Sequence, residues 1–258
     1  MAPTRIAVLA LISDLHSNMD AIRAVFDDIA AQGATRIACL GDVIGYGPEP
    51  RQALAEVKRF EFCLRGNHEE AVLYFAEDFN EKARTALDWT RDQLNDASVS
   101  REERFEYWRV LSDVMKVEHR TADALFVHGS PRDPIREYML PADVKNAEKM
   151  KGVFAKQDRP WCFVGHSHVP GVYVENGGFV SPKDCDGRWT RKPNEKALVN
   201  IGSVGQPRDG DPRASYVLFD GETVTFRRVP YDVESAMTKI LATKVLPSYL
   251  AERLKVGR

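Results

Sequence analysis

The chain has 258 residues, a formal net charge of −2, and 43% apolar against 29% charged residues, the profile of an ordinary soluble globular protein long enough to bury a sizeable core. The near-neutral balance gives no electrostatic basis for tracking nucleic acid. The longest early apolar run, Ile6 to Ile12, is too short to cross a membrane and leads straight into Asp14 and His16, so it reads as a first strand rather than a signal peptide.

The stretch Arg5 to Ser13 has the pattern of a strand covered on both faces. Asn18 is placed to cap a following helix whose stripe is Ala21, Ile22, Val25, Phe26 and Ile29, and Gly33 to end it. Strand Arg36 to Leu40 completes a β-α-β unit, whose crossover should be right-handed with parallel strands. A Gly- and Pro-containing loop, a helix over 49–59 and a strand from Phe60 to Leu64 make a second such unit. Residues 70–115 read as a helical insertion beside the sheet, broken near Asn95 to Ser100, with Tyr74, Phe75, Trp89, Phe105, Tyr107 and Trp108 on its inner faces.

Further on, Ala124 to Val127 and Trp161 to Val164 are strands flanking a helix over 141–154. Short runs Val172 to Val174, Leu198 to Ile201, Tyr216 to Phe219 and Val224 to Val229, with turn residues such as Asp220 and Gly221 between them, predict antiparallel strands of a second sheet. Residues 176–196 read as a solvated loop, and helices over 233–245 and 248–255 close the chain. With no repeat, low-complexity tract or long linker, one domain over 1–258 is expected. Cys39, Cys63 and Cys162 fall inside strand patterns as buried thiols and Cys185 lies in a loop, which favours a reducing cytoplasm.

The chemistry sits where apolar runs end. Asp14 and His16 follow the first run, Asp42 the second, Asn67 and His68 the third, His128 the fourth, and His166 and His168 the fifth. Five of the six histidines fall in these groups, and only His119 is left as a surface or satisfied residue. Singly each group could be a strand-end cap; jointly they read as a metal site. On extended backbone Asp14 and His16 point the same way, as do His166 and His168, so each pair can grip an ion from one side. Carboxylate, imidazole and amide oxygen without thiolate suit divalent Mn, Fe, Zn, Co or Ni.

The ordered set Asp14-x-His16, Gly41–Asp42, Gly66–Asn67–His68–Glu69, His128 and Gly165–His166-x-His168 resembles the calcineurin-like metallophosphoesterases, over roughly residues 5–230. Asn200–Ile201–Gly202–Ser203 is similar to the Asn-x-Gly-Ser of small bacterial phosphodiesterases of that family. The resemblance implies an α/β fold, a four-layer α-β-β-α sandwich of two packed mixed sheets. It implies two divalent cations, Mn first among them: one held by Asp14, His16, Asp42 and His168, the other by Asp42, Asn67, His128 and His166, with Asp42 bridging. Two such cations about 3.5–4 Å apart lower the pKa of a shared water and neutralise phosphate oxygens.

By the same resemblance His68 is the candidate general acid, catalytic together with Asp42. Asn67, Arg208 and Tyr46 are candidate substrate contacts, although Arg208 and Arg213 equally suit local salt bridges in a turn, and Tyr46 equally suits packing on its neighbours. The expected activity is hydrolysis of small phosphodiesters, and also of phosphomonoesters, with no stable nucleic-acid or membrane partner. The alternatives are a phosphoprotein phosphatase or a dinucleoside-tetraphosphate hydrolase, and a non-catalytic scaffold on the same fold. Against the phosphatase, Gly41 to Gly47 lacks the arginine those enzymes place there.

Overall fold

A computed structural model describes residues 8–74 and 79–258; the predicted start of the first strand before residue 8, and Phe75, lie outside the described residues. Strand β1 (Leu9–Ile12) leads to helix α1 (Met19–Ala31), whose first turn is capped where the Asn18 side chain accepts from the Ala21 amide at 3.2 Å. Strand β2 (Arg36–Cys39) follows, then helix α2 (Pro50–Ala55), which tightens into a 3-10 turn over Glu56–Arg59. The strand expected over 60–64 starts later and is shorter. Phe60 is still committed to the turn, donating to Val57 O at 3.1 Å; the chain then runs parallel to β2 around the bridge Cys39↔Cys63, with Glu61 N donating to Ile37 O, Cys39 N to Phe62 O and Leu64 N to Cys39 O at 2.7, 3.1 and 2.8 Å.

Among the described residues the insertion forms α3 (Asn67–Leu73), α4 (Glu81–Asn95) and α5 (Arg101–Arg109), with a π turn at Val110–Val114. The break before α5 falls where expected, at a Ser100–Glu103 capping box. Phe105 and Tyr74 do not face inward as predicted; they are 68% and 57% exposed. Strands β3 (Glu118–Arg120) and β4 (Ala124–Val127) come next. The helix expected over 141–154 splits at Asn146 into a 3-10 turn (Pro141–Lys145) and α6 (Ala147–Lys156), because the Asn146 side chain caps the second piece.

Strands β5 (Trp161–Val164), β6 (Gly171–Val174), β7 (Gly178–Val180), β8 (Arg188–Thr190), β9 (Ala197–Asn200), β10 (Ala214–Phe219) and β11 (Thr223–Val229) precede helices α7 (Val233–Ala242) and α8 (Ser248–Val256). The segment 176–196 is therefore not a plain solvated loop. Its β7 and β8 form outer edges of two different sheets, which leaves those edges short.

The described strands form a sheet of order β2-β1-β10-β11-β8 and another of order β3-β4-β5-β9-β6-β7. The late strands do not build a separate antiparallel sheet as the sequence suggested. β10 joins the first sheet antiparallel to β1, while β9 lies parallel to β5 in the second. Side-chain alternation sets the layers. From β1, Leu9 and Leu11 enter the core between the sheets with Phe126, Trp161 and Phe163, whereas Ala10 and Ile12 face α1 in a second core. From β5, Cys162 and Val164 face α6. The result is a four-layer α-β-β-α sandwich. His119 lies half-buried on β3, stacked on Phe62 with centroids 4.0 Å apart. Among the described residues no helix is long and apolar enough to cross a membrane.

Candidate metal centre

The parallel strands β1, β2, β4 and β5 all end at one edge of the sandwich, where ligand sites are common in α/β folds. Beyond them the backbone turns sharply. Asp14, His16, Asp42, His166 and His168 have φ of 54°, 46°, 52°, 65° and 59°. They are thus left-handed and not extended, which corrects the geometry expected for the two pairs. Each such residue costs on the order of 1–3 kcal/mol. Paired segments hold the conformation: the amides of Asp14, His16 and Ser17 donate to the carbonyls of Gly41, Asp42 and Val43 at 2.9, 3.0 and 2.9 Å.

Two groups of donor atoms converge there. Asp14, His16, Asp42 and His168 form one, and Asp42, His128 and His166 the other, each with its ligand atoms within 4.8 Å of one another and every residue buried. Asp42 belongs to both. The Asn67 side chain brings its neutral Oδ1 within 3.2 Å of His128 Nε2, beside the second group. The glycines of the motifs make the convergence possible: a Cβ on Gly66 would collide with Asp42 Oδ1, and one on Gly165 would meet Asp14 Oδ2 at 2.5 Å.

The outer hydrogen bonds orient the imidazoles. His16, His128 and His168 place Nδ1 against the carbonyls of Ile44, Leu40 and Gln206, at 3.2, 2.9 and 2.5 Å. A protonated Nδ1 there leaves Nε2 as a lone pair aimed inward, as metal-ligating histidines require. His166 is reversed, with Nε2 against Arg136 O at 3.0 Å, which leaves Nδ1 as the atom it can offer to a cation.

Charge follows the same plan. Burial lowers the imidazoles of His16 and His168, and His166 to about 3, keeping them neutral. Burial would raise the carboxyls of Asp14 and Asp42, but neighbouring His168 and His128 respectively outweigh it and hold both below the usual range. His128 is the exception. Burial lowers it, yet Asp42, 3.4 Å from Nε2, prevails and pushes it up to about 10. The two carboxylates thus draw positive charge to this spot, and a cation beside Asp42 would supply it with His128 neutral. Buried oxygen and nitrogen donors in two sets with one shared carboxylate fit a pair of divalent ions.

His68 sits behind the shared carboxylate. Its amide donates to Asp42 Oδ1 at 2.9 Å from the first turn of α3, and its ring packs against Tyr46 and Phe79 with centroids at 4.3 and 5.2 Å. Nδ1 is buried without a partner, and burial is the main cause that lowers the ring to about 4. Tyr46 does both things considered for it, packing on His16 and His68 while walling a cavity beside the clusters.

The two turn arginines separate. Arg213 pairs locally with Asp211 at 2.6 Å. Arg208 instead lies beside the clusters: its amide donates to His168 O at 3.3 Å, its guanidinium bonds Gln206 Oε1 at 2.9 Å, and it stands 5.8 Å from the Tyr46 ring.

Sequence reading gave no role to Glu69, Phe79 or Tyr138. The buried Glu69 carboxylate accepts from the amides of Asp42, Gly66 and Ile44 at 2.9, 2.8 and 3.0 Å, tying the Asp42 loop to α3. It was visible as the last residue of Gly66–Asn67–His68–Glu69, and an acid at the third position of a helix is a capping signature. Tyr138 stacks on His166 with centroids 3.7 Å apart; nothing local in the sequence marks it.

A family model described as the calcineurin-like phosphoesterase superfamily domain matches residues 8–224. An uncharacterised protein of Methanocaldococcus jannaschii, MJ0912, is 36% identical over 98% of this chain and 99% of its own. A crystal structure of a metallophosphoesterase from Sphaerobacter thermophilus superposes with a TM-score of 0.80 at 34% identity, covering 97% of this chain and 99% of that one. The fold is also that of the hypothetical protein PH1004 from Pyrococcus horikoshii, with a TM-score of 0.73 at 18% identity over 97% and 98% of the two chains.

Proposed function

This chain belongs to the calcineurin-like phosphoesterase superfamily and is a metal-dependent hydrolase, and on that premise we propose that it cleaves phosphodiester bonds of small molecules. The observation that carries the reading is the buried Asp42 common to both clusters. Asp14, His16, Asp42 and His168 would hold one cation and Asp42, Asn67, His128 and His166 the other, with Mn first and Fe, Zn, Co or Ni as alternatives. Bound cations supply Lewis acidity towards phosphate oxygens and lower the pKa of a water between them.

The chain's own part is positioning and proton transfer. His68 donates to the departing oxygen. Burial holds its ring low, and an anionic phosphate ester beside it raises its affinity for a proton when one is needed. Tyr46 and Phe79 shield that ring from water. Arg208, which has no ion-pair partner among the described carboxylates, is available to a non-bridging phosphate oxygen. Because Arg208 brings a cation that the Gly41–Gly47 loop lacks, phosphomonoester cleavage is the second reading. Buried, free Cys39, Cys63 and Cys162 support a cytoplasmic location.

The deciding experiment compares paired aryl phosphodiester and phosphomonoester substrates, using metal-stripped protein given Mn, Ni, Co, Zn or Mg separately. Diester turnover with transition metals is expected. Monoester preference would replace this reading with the phosphatase, and no turnover despite two bound equivalents would leave the scaffold.

A further inference from the structure

A cavity of about 160 Å³ opens beside Asn67 and His166, walled by Tyr46, Phe79, Ala83 and Tyr138. Pockets that enclose a whole drug-sized ligand run to about 300–1,000 Å³, so this one takes a part of a substrate. Its position tells which part. Tyr46 and Phe79, two of its walls, pack against the His68 ring at 4.3 and 5.2 Å between centroids. A group that donates a proton to a departing oxygen must stand on the leaving-group side of phosphorus. The cavity therefore lies where the leaving group goes.

The walls also state its chemistry. Tyr46, Phe79 and Tyr138 present rings, and Ala83, on the buried face of α4, leaves the space open. Polar groups line the rest, Arg136, Asn67 and His166 among them; Asn80 Oδ1 accepts from the Ala83 amide at 3.0 Å, and Glu70 pairs with Arg65 at 3.4 Å. Resting on the hydrolase reading and on His68 as its acid, we propose that this cavity is the leaving-group subsite and that the departing group of the phosphodiester is a compact, ring-bearing alcohol or phenol. In the reaction the ester P–O bond breaks, the oxygen of water takes its place on phosphorus as a hydroxyl, and the freed alcohol or phenol leaves with the proton from His68, which the other proton of that water replaces. The helical insertion is thereby the specificity element of the site.

The test uses the protein loaded with two equivalents of Mn and measures binding of methyl-, phenyl- and naphthylphosphonate by calorimetry. Burying one ring should favour phenyl over methyl by about tenfold or more, and naphthyl should gain nothing further because the space is filled. Ala83→Leu should bring the phenyl-to-methyl ratio to near one with both metal equivalents retained. Should that variant fail to fold, Phe79→Ala decides, and should cut the ratio about fivefold. Equal affinity for methyl and phenyl in the parent protein, tighter naphthyl binding, or a ratio unmoved by the folded variant would overturn the proposal. Binding is read without turnover, so diester cleavage with no phenyl preference removes the subsite alone. A phenyl preference without turnover under any metal removes the hydrolase reading, and the leaving-group role with it.

Discussion

Replacing Glu69 by Gln tests how the shared carboxylate is held. Oε2 of Glu69 accepts from two amides and Oε1 from one, so a Gln with its oxygen at the Oε2 position keeps the bonds to Asp42 and Gly66 and turns an NH₂ towards the Ile44 amide. The Ile44 amide and the new NH₂ are then two buried donors facing each other, at a cost of about 1–3 kcal/mol for the unsatisfied amide alone, and the charge-assisted strength of the other two bonds falls as well. A loss of about 2–3 kcal/mol corresponds to a melting temperature lower by roughly 5–10 °C for a chain of this size. The same strain, expressed at Asp42, would weaken cation binding by about 30–100-fold, in the range of outer-sphere substitutions at metal sites. The assay pairs calorimetric metal titration with thermal melting. Asp28→Asn is the control: it weakens the bonds of Asp28 to Tyr216 and Arg227 towards the far end of α1, and should lower the melting temperature while leaving metal affinity alone. A Glu69→Gln protein that binds two equivalents at parental affinity and melts at the parental temperature would refute the reasoning.

Asp42→Ala should lose both cations together, read as metal equivalents after dialysis; one retained full equivalent counts against a bridging role. His68→Ala should keep both metals and slow cleavage by about 10²–10⁴-fold, least for good leaving groups; an undiminished rate on a poor leaving group removes it as the acid. The metal-stripped protein should melt lower as pH falls from 6.5 towards 4. Over that window the unfolded chain binds protons that the buried His16, His68, His166 and His168 resist. Glu69, raised to about 7 by burial and Asp42, opposes the trend as a single group. His128 works in the other sense, its contribution complete below about 6.5 and lost as pH rises towards 10. Adding cations should flatten that alkaline fall, because a metal-bound His128 is already neutral. Melting that rises steadily from pH 7 to 4 would contradict this account.

What the sequence by itself determined is where the buried strands end and which candidate donor residues stand beyond them. Apolar runs ending in Asp14, Asp42, Asn67, His128 and His166 announce strand ends, because burial on both faces demands continuous apolar residues and the first polar residue marks the exit. Local signals also fixed the Asn18 cap and the break before α5. Tertiary structure decided what depends on partners distant in the chain. Parallel pairing with β2 and contact with α3 hold Asp14, His16 and Asp42 in left-handed conformations that their own preferences oppose. β9 pairs parallel to β5, and β10 crosses to β1, since strand pairing is set by the closure of both sheets and not by spacing along the chain. Arg208 and Arg213 have equal standing in the sequence, five residues apart. Only the turn back towards His168 sends the first to the metal centre, while the second closes on Asp211.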